Sequence, residues 1–305
     1  MEAQSVVNES SDLHEVGLIG VGLLGSAIAS RLMNSGFQIH GYDTDEKRLE
    51  EFGKDGGFVC ECVGEVLESC KVLILSLPSS DQVFSLIEQL ADSQIKDRMV
   101  IDTTTGDPEQ MVSFEKTLTN LGASYVEATV AGSSQQVIDG TVALFLGGES
   151  IALDFVKPVL MEISSKRFHL GPVGAASKFK LVHNLVLGLH RAVLAEGLAF
   201  AESLDFDPML TLRVLKQTPA VSGVMETKGE QMVSGDYRLQ ARLSQHLKDV
   251  KLILSEVSKV SAYAPLSQIH QDLLEHAEQL GFGEADNSSV IEAYRSPKET
   301  GNGKC

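Results

Sequence analysis

Gly20-Val21-Gly22-Leu23-Leu24-Gly25 is a segment whose residue types and spacing can do chemistry. Glycines at these positions permit a tight turn, close approach of backbone to a pyrophosphate, and close packing of a helix on a sheet. The start of that helix then turns unpaired N–H groups toward the anion. The pattern alone is weak, but here it follows an apolar run, opens a helical period, and is succeeded by Tyr42 and Asp43 at the end of the next apolar run. An aspartate there accepts hydrogen bonds from ribose hydroxyls and repels a 2′-phosphate, so the segment reads as a site for NAD, with NADP left open. Arg48 stands too far along the following helix to be an obvious phosphate partner. The plain alternative is a glycine turn that joins strand to helix without a ligand.

Two later loops aim at the same place. Ser76-Leu77-Pro78-Ser79 and Asp102-Thr103-Thr104-Thr105 each close an apolar run. In a doubly wound sheet ligands bind outside the carboxyl ends of strands, so these loops would border the nicotinamide half of the cofactor. Each threonine could equally cap the next helix. Further on, Lys180 and Asn184 fall four apart, on one face of a helix. A lysine in so apolar a helix either snorkels to water or is held near a polar site. Burial of an amine favours its neutral form, which suits a group that shuttles a proton.

The elements that must position these residues follow from the periodicity. Val16 to Ile19, Gln38 to Tyr42, Val72 to Leu77, Met99 to Asp102 and Ser124 to Thr129 read as strands; Leu23 to Asn34, Asp45 to Asp55, Asp81 to Leu90 and Pro108 to Leu121 read as helices between them. This alternation predicts crossover units and a parallel sheet. A strand at Val142 to Leu146 and a helix at Ile151 to Met161 extend it to about His169. From Pro172 to about Ser203 the sequence predicts one long helix, apolar on nearly every face and therefore buried, with a partner subunit completing its cover. Pro208 to Gln217, Leu243 to Val260 and Leu266 to Leu280 continue in helical periods. The fold expected is α/β: disordered tails at 1–14 and 296–305, an N-terminal Rossmann dinucleotide-binding domain at 15–170, then a long interdomain helix opening an all-α C-terminal domain at 171–295.

Composition excludes several function classes. Lysine and arginine number 25 against 42 aspartates and glutamates, a formal net charge of −17 with no basic cluster, so nucleic acid and anionic membrane surfaces are not expected partners. No uninterrupted apolar run reaches the roughly 20 residues of a membrane span. The first 14 residues lack arginine and an apolar core, and the last ten lack a prenylation or retention signal, so a cytoplasmic protein is expected. The cysteines, Cys60, Cys62, Cys70 and Cys305, form a C-x-C pair without histidines at finger-like spacing; they read as reduced packing thiols, and no metal is expected.

With these motifs in hand, the sequence resembles the β-hydroxyacid dehydrogenase family of 3-hydroxyisobutyrate dehydrogenases, tartronate semialdehyde reductases and plant glyoxylate/succinic semialdehyde reductases. The resemblance runs through GLIGVGLLG at 17–25, EATVAGSSQQVIDGT at 127–141, GPVGAASKFKLVHN at 171–184 and HLKD at 246–249, and spans nearly all of 15–295. It implies that Lys180 is the catalytic acid/base and Asn184 a substrate-binding residue. It further implies cofactor contacts at Leu77, Pro78, Thr105 and Lys248, and a substrate-carboxylate loop at Val130, Ala131 and Gly132. A small carboxylate substrate and a homodimer or homotetramer are also implied.

Departures from the family pattern bear on the substrate. Glu127-Ala128-Thr129-Val130-Ala131-Gly132-Ser133 stands where Asp-x-Pro-Val-Ser-Gly-Gly is usual, so the serine that meets the carboxylate is Ala131 here. The loss of such a charge-assisted bond costs about 1.5 to 3 kcal/mol unless Ser133 or Ser134 substitutes. Ala176 replaces a helix-start glycine. His183, where asparagine is common, is either a second substrate contact or a histidine packed within the helix. Three rival readings remain on sequence grounds. An imine reductase is opposed by Lys180, phosphogluconate dehydrogenase by the short helical domain, and an inactive NAD-binding scaffold by the intact Lys180 and Asn184, though Ala131 favours it.

Overall fold

Runs such as Val72–Leu75 and Met99–Asp102, too short for helices and apolar at nearly every position, satisfy their backbone only by pairing side by side, with both faces then covered. The computed structural model, which describes residues 13–90 and 95–296, has this arrangement. Strands β1 (Glu15–Ile19), β2 (Gln38–Tyr42), β3 (Phe58–Val59), β4 (Val72–Leu75), β5 (Met99–Asp102), β6 (Ser124–Ala131), β7 (Ala143–Gly147) and β8 (Lys166–His169) form one sheet in the order β3-β2-β1-β4-β5-β6-β7-β8. The connecting helices are α1 (Leu23–Asn34), α2 (Glu46–Lys54), α3 (Val63–Ser69), α4 (Ser80–Gln89), α5 (Pro108–Asn120), α6 (Ser134–Ile138) and α7 (Ser150–Ile163). Then come α8 (Ala175–Ser203), α9 (Pro208–Leu215), α10 (Gly223–Ser234), α11 (Leu243–Lys259) and α12 (Pro265–Ala277). A π-helical turn (Glu278–Phe282), a 3₁₀ turn (Asn287–Ile291) and α13 (Glu292–Arg295) close the described chain. The α/β class with a Rossmann sheet, a long helix and a helical C-terminal region is the one expected. Apart from residues 13, 14 and 296, the expected disordered tails lie outside the described residues.

The chain divides into two compact units, one ending at Lys180 and the other beginning at Leu181. In the first, apolar side chains of α1 and α7 (Ile28, Leu32, Val156, Leu160) pack with Val16, Leu18 and Ile74 of the sheet. On the opposite face Leu67 of α3, Val83 of α4 and Phe114 of α5 pack with Ile19, Leu73 and Val100. One expectation is corrected: the sheet is not wholly parallel, because β7 runs antiparallel to β6, with Glu127 opposite Gly147 and Ala131 opposite Ala143. The connection at residues 132–142 is too short for a crossover, which takes a dozen or more residues, so the chain can only turn back.

A second correction concerns the long helix. It begins at Ala175 rather than at Pro172. Gly174 has φ +92°, a left-handed conformation that no helix interior accepts.

In the second unit, Leu194, Ala195 and Leu198 of α8 form a core with Leu212, Met232, Leu247, Val250, Leu274 and Val290. Helix α8 is not buried all round within the chain: Val182, Val186, Val193 and Phe200 are exposed along one stripe. By length and hydropathy it could cross a membrane, but a core helix of a globular unit passes the same test, and this one carries buried Lys180, Asn184 and Arg191. A buried ion pair closes the unit. Lys228 Nζ lies 2.8 Å from both carboxylate oxygens of Asp286, which also accept the N–H groups of Gln240, Ala241 and Ser288, each at 3.0 Å.

Candidate active site

The glycine segment lies between β1 and α1, and its shape fits a dinucleotide. Gly20 has φ +98°, and a Cβ on Gly25 would stand 1.9 Å from the Gly20 carbonyl oxygen, so a side chain at either position closes the cradle. Gly22 caps α1 without a side chain, which leaves the first turn of the helix open to an anion. Tyr42 holds the turn by accepting the Gly20 N–H at 2.9 Å. Asp43 then reaches back into it: Oδ2 accepts the Val21 N–H and Oδ1 the Asp45 N–H, both at 2.9 Å. Leu23 is exposed at the mouth and Leu24 is half-buried.

The loops after β4 and β5 are tied to one another at the same end of the sheet. Leu77 N–H donates to Thr104 Oγ1 at 3.3 Å, Thr103 Oγ1 donates to the Leu75 carbonyl at 2.8 Å, and Thr104 N–H donates to Asp102 Oδ1 at 2.8 Å. Thr103 and Thr104 are therefore framework, while half-buried Leu77 and Thr105 and exposed Pro78 form the rim. Asp102 Oδ2 also accepts the Tyr125 hydroxyl at 2.8 Å; burial pushes its carboxyl up to about 6, against the opposing pull of the Thr104 and Tyr125 bonds.

Lys180 is buried on α8, and its Nζ donates to the Val130 carbonyl oxygen at 2.6 Å. The predicted acid/base residue and the first residue of the predicted carboxylate loop are thus in contact. Val130 and Ala131 finish β6, and Gly132 leads into α6. Ser133, one candidate to replace the missing hydroxyl at Ala131, is engaged in a capping box: its Oγ accepts the Gln136 N–H at 3.3 Å, and its own N–H donates to Gln136 Oε1 at 2.9 Å.

In the second unit, Asn184 is buried and its Nδ2 donates to Asp249 Oδ2 at 2.9 Å. Lys248, one third exposed, has its Nζ 3.4 Å from Asp249 Oδ1. His183 is half-buried beside them in sequence. A second polar bridge joins α8 to α11, with Arg191 Nη2 on His246 Nε2 at 2.9 Å and the His246 ring 5.1 Å from that of His270.

Comparison with known proteins decides the family. A family profile described as the NAD binding domain of 6-phosphogluconate dehydrogenase matches residues 15–171, half of the chain, and one described as the NAD-binding region of NADP-dependent 3-hydroxyisobutyrate dehydrogenase matches 174–294. The chain belongs to the β-hydroxyacid dehydrogenase family. Such enzymes are NAD(P)-dependent oxidoreductases of hydroxyacids, and the dinucleotide cradle is the part of that machinery most fully formed by backbone alone. Among relatives, glyoxylate/succinic semialdehyde reductase 1 of Arabidopsis thaliana is 26% identical over 292 residues, covering 93% of this chain and all of that protein. The cytokine-like nuclear factor N-PAC of Drosophila melanogaster is 24% identical over 279 residues, 90% of this chain but 46% of that protein. A crystal structure of 3-hydroxyisobutyrate dehydrogenase from Salmonella typhimurium shares the fold with a TM-score of 0.83 at 22% identity, covering 91% of this chain and 99% of that one.

For a β-hydroxyacid dehydrogenase the structure adds residues that sequence reasoning missed. Arg48 lies beside the cradle: one helical turn brings its Nη1 within 3.6 Å of Asp43 Oδ2 and 3.7 Å of where a Cβ on Gly22 would lie. Glu127, noted before only as a departure from aspartate, is buried and bonded to the first turn of α8. Asp249 and Asp102 carry Asn184 and the Thr104 loop respectively. Asp249 was legible in the HLKD motif, but Asp102, ending an apolar strand, gave no sign of its Tyr125 contact.

Proposed function

We propose that this enzyme moves a hydride between NAD(P) and a small hydroxyacid or semialdehyde bearing a carboxylate. A 3-hydroxyisobutyrate-like acid is the favoured substrate, with glyoxylate or succinic semialdehyde as the alternative in the reducing direction. The observation that carries the reading is the buried Lys180 amine on the Val130 carbonyl, next to the loop that the resemblance gives to the substrate carboxylate.

Bound NAD(P) supplies or takes up the hydride. Lys180 as the ammonium gives a proton to the carbonyl oxygen in reduction, and as the amine takes the hydroxyl proton in oxidation. One of its N–H groups is held by Val130, which aims the others. Backbone N–H groups around Ala131 and Gly132, with the Asn184 amide oriented by Asp249, hold the carboxylate, and His183 is a further substrate contact. Asp43 receives the ribose hydroxyls, which favours NAD. Arg48 beside it offers a partner for a 2′-phosphate, so NADP is also accepted. Leu77, Pro78 and Thr105 border the nicotinamide, and Lys248 is a further cofactor contact. The exposed stripe Val182, Val186, Val193 and Phe200 supports a homodimer or homotetramer in which a second copy covers it.

A catalytically silent NAD(P)-binding scaffold is the second reading, favoured by Ala131. Absorbance at 340 nm separates the two. The panel runs NAD and NADP against 3-hydroxyisobutyrate, 3-hydroxypropionate, serine and glycerate, and the reduced cofactors against glyoxylate, succinic semialdehyde and tartronate semialdehyde. Turnover that falls at least about a thousandfold in Lys180→Ala, with cofactor affinity kept, is the expected result. Silence across the panel with cofactor still bound favours the scaffold, and residual activity in Lys180→Ala refutes the acid/base assignment.

A further inference from the structure

Strand β6 grips helix α8 at two points. Glu127 Oε2 accepts the Gly174 N–H at 2.6 Å, and Oε1 accepts the Ser177 N–H at 3.2 Å together with the Ser177 hydroxyl. Three residues along the strand, the Val130 carbonyl takes Lys180 Nζ. Ser177 and Lys180 are likewise three apart on the helix, so one rigid strand fixes both its start and its amine. Strand β7 leaves room for this: opposite Glu127 stands Gly147, where a Cβ would fall 2.5 Å from Glu127 Oε2.

We propose that Glu127 is a positioning residue for Lys180: its carboxylate pins the start of α8 to the strand that holds the amine. The proposal rests on the reading of Lys180 as the proton shuttle. Three donors converge on the two carboxylate oxygens, an arrangement that a carboxylate fills and a glutamine amide does not, since its NH₂ would confront one of them. The unpaired N–H groups of the helix start favour negative charge at this point. The groups facing Glu127 are few. Asp102 on β5 is its register neighbour, Tyr125 on β6 hydrogen-bonds Asp102, Gly147 on β7 carries no charge, and Ser177 lies on α8. Burial pushes the Glu127 carboxyl up, the Ser177 and Gly174 donors pull it down, and Asp102 adds to the rise.

The test uses the full chain as Glu127→Gln, Glu127→Asp and Ser177→Ala, with Lys180→Ala as control. Two readouts are followed between about pH 6 and 10: glyoxylate reduction with NADPH, and, without substrate, acetylation of Lys180 by acetic anhydride read by peptide mass spectrometry. In Glu127→Gln, kcat is expected to fall about tenfold to a hundredfold, while KM and cofactor Kd change less than about twofold. Lys180 is acetylated faster at each pH, because a helix start no longer pinned to β6 releases the amine from the Val130 carbonyl. Glu127→Asp restores kcat and the slow acetylation, and Ser177→Ala lowers kcat about threefold. An unmoved acetylation profile in Glu127→Gln, or a loss that Glu127→Asp does not rescue, overturns the proposal. If Glu127→Gln fails to fold, an unchanged kcat in Ser177→Ala overturns it instead. Turnover surviving in Lys180→Ala sinks the acid/base reading separately, while the acetylation profile still decides whether Glu127 governs the amine.

Discussion

Two buried carboxylates, one in each unit, are solvated by similar donors and respond in opposite directions. Asp102, in the sheet unit, has a backbone N–H and a tyrosine hydroxyl but no cation, and burial raises its carboxyl to about 6. For Asp286, in the helical unit, burial pushes the same way, but the Lys228 ammonium and the surrounding N–H donors bring the carboxyl below its ordinary value. The buried bases divide similarly. Burial lowers Lys228 but Asp286 opposes it, whereas burial and the Arg191 charge leave His270 at about 4. Strand ends and helix starts offer free backbone N–H groups, so the sheet unit can hold an acid without a counter-ion. The helical unit gives Asp286 three such groups and a cation besides, so there the ammonium decides the direction. The two acids that burial pushes up, Asp102 and Glu127, are register neighbours in the sheet, whereas the locked pair sits in the helical packing.

The comparison breaks most visibly at the locked pair. Asp286→Ala strands a buried ammonium and is expected to cost about 3 to 5 kcal/mol in urea unfolding, whereas Lys228→Met with Asp286→Leu costs far less. Equal losses in the two proteins would mean that the N–H network, not the ion pair, is what matters at Asp286. The unpaired groups sharpen the comparison through pH. Asp102 binds its proton more tightly folded than unfolded, so its contribution is largest below about pH 4 and is lost as pH rises to about 6, by about 3 kcal/mol. His270 binds its proton less tightly when folded, so its contribution is present above about pH 6.5 and is lost as pH falls to about 4, again by about 3 kcal/mol. Asp102→Asn and His270→Gln should therefore change the slope of stability against pH, relative to the parent, in opposite senses between about pH 4 and 6. Slopes of the same sign would refute the division. The smallest effect belongs to a half-exposed pair: Arg48→Ala should weaken NADP binding about fivefold and NAD less than about twofold in cofactor-fluorescence titrations, and Asp43→Asn should narrow the preference for NAD.

Much of this was legible in sequence. Strands such as Val72–Leu75 announce themselves by unbroken apolar runs, and the glycine cradle by its spacing, because both are enforced locally. What escaped was set by tertiary contact. Strand β3 has two residues, both exposed, and exists only because β2 lends it an edge. Helix α10, GVMETKGEQMVS, has weak amphipathic periodicity and is fixed by the packing of Val224, Met225 and Met232 in the helical core. Helix α3 is only seven residues long, too short for a period to show. The true start of α8 depends on Gly174 and on a carboxylate 47 residues earlier in the chain. The nearness of Arg48 to Asp43 was hidden because one helical turn returns a side chain to the loop that precedes it.

The two edges of the sheet have a colloidal consequence. Strands β4 (VLIL) and β5 (MVID) are segments of the kind that seed cross-β aggregation when bare, but they occupy the centre of the sheet under helices on both faces. At the rims an incoming strand would meet only the two residues of β3 or the lysine and arginine of β8, KRFH. Short and cationic edges are poor templates for recruitment, and like-charged chains of net −17 repel as they approach. The folded protein is therefore protected against self-templating, and its hazard is confined to the interval in synthesis or refolding before α3, α4 and α5 dock.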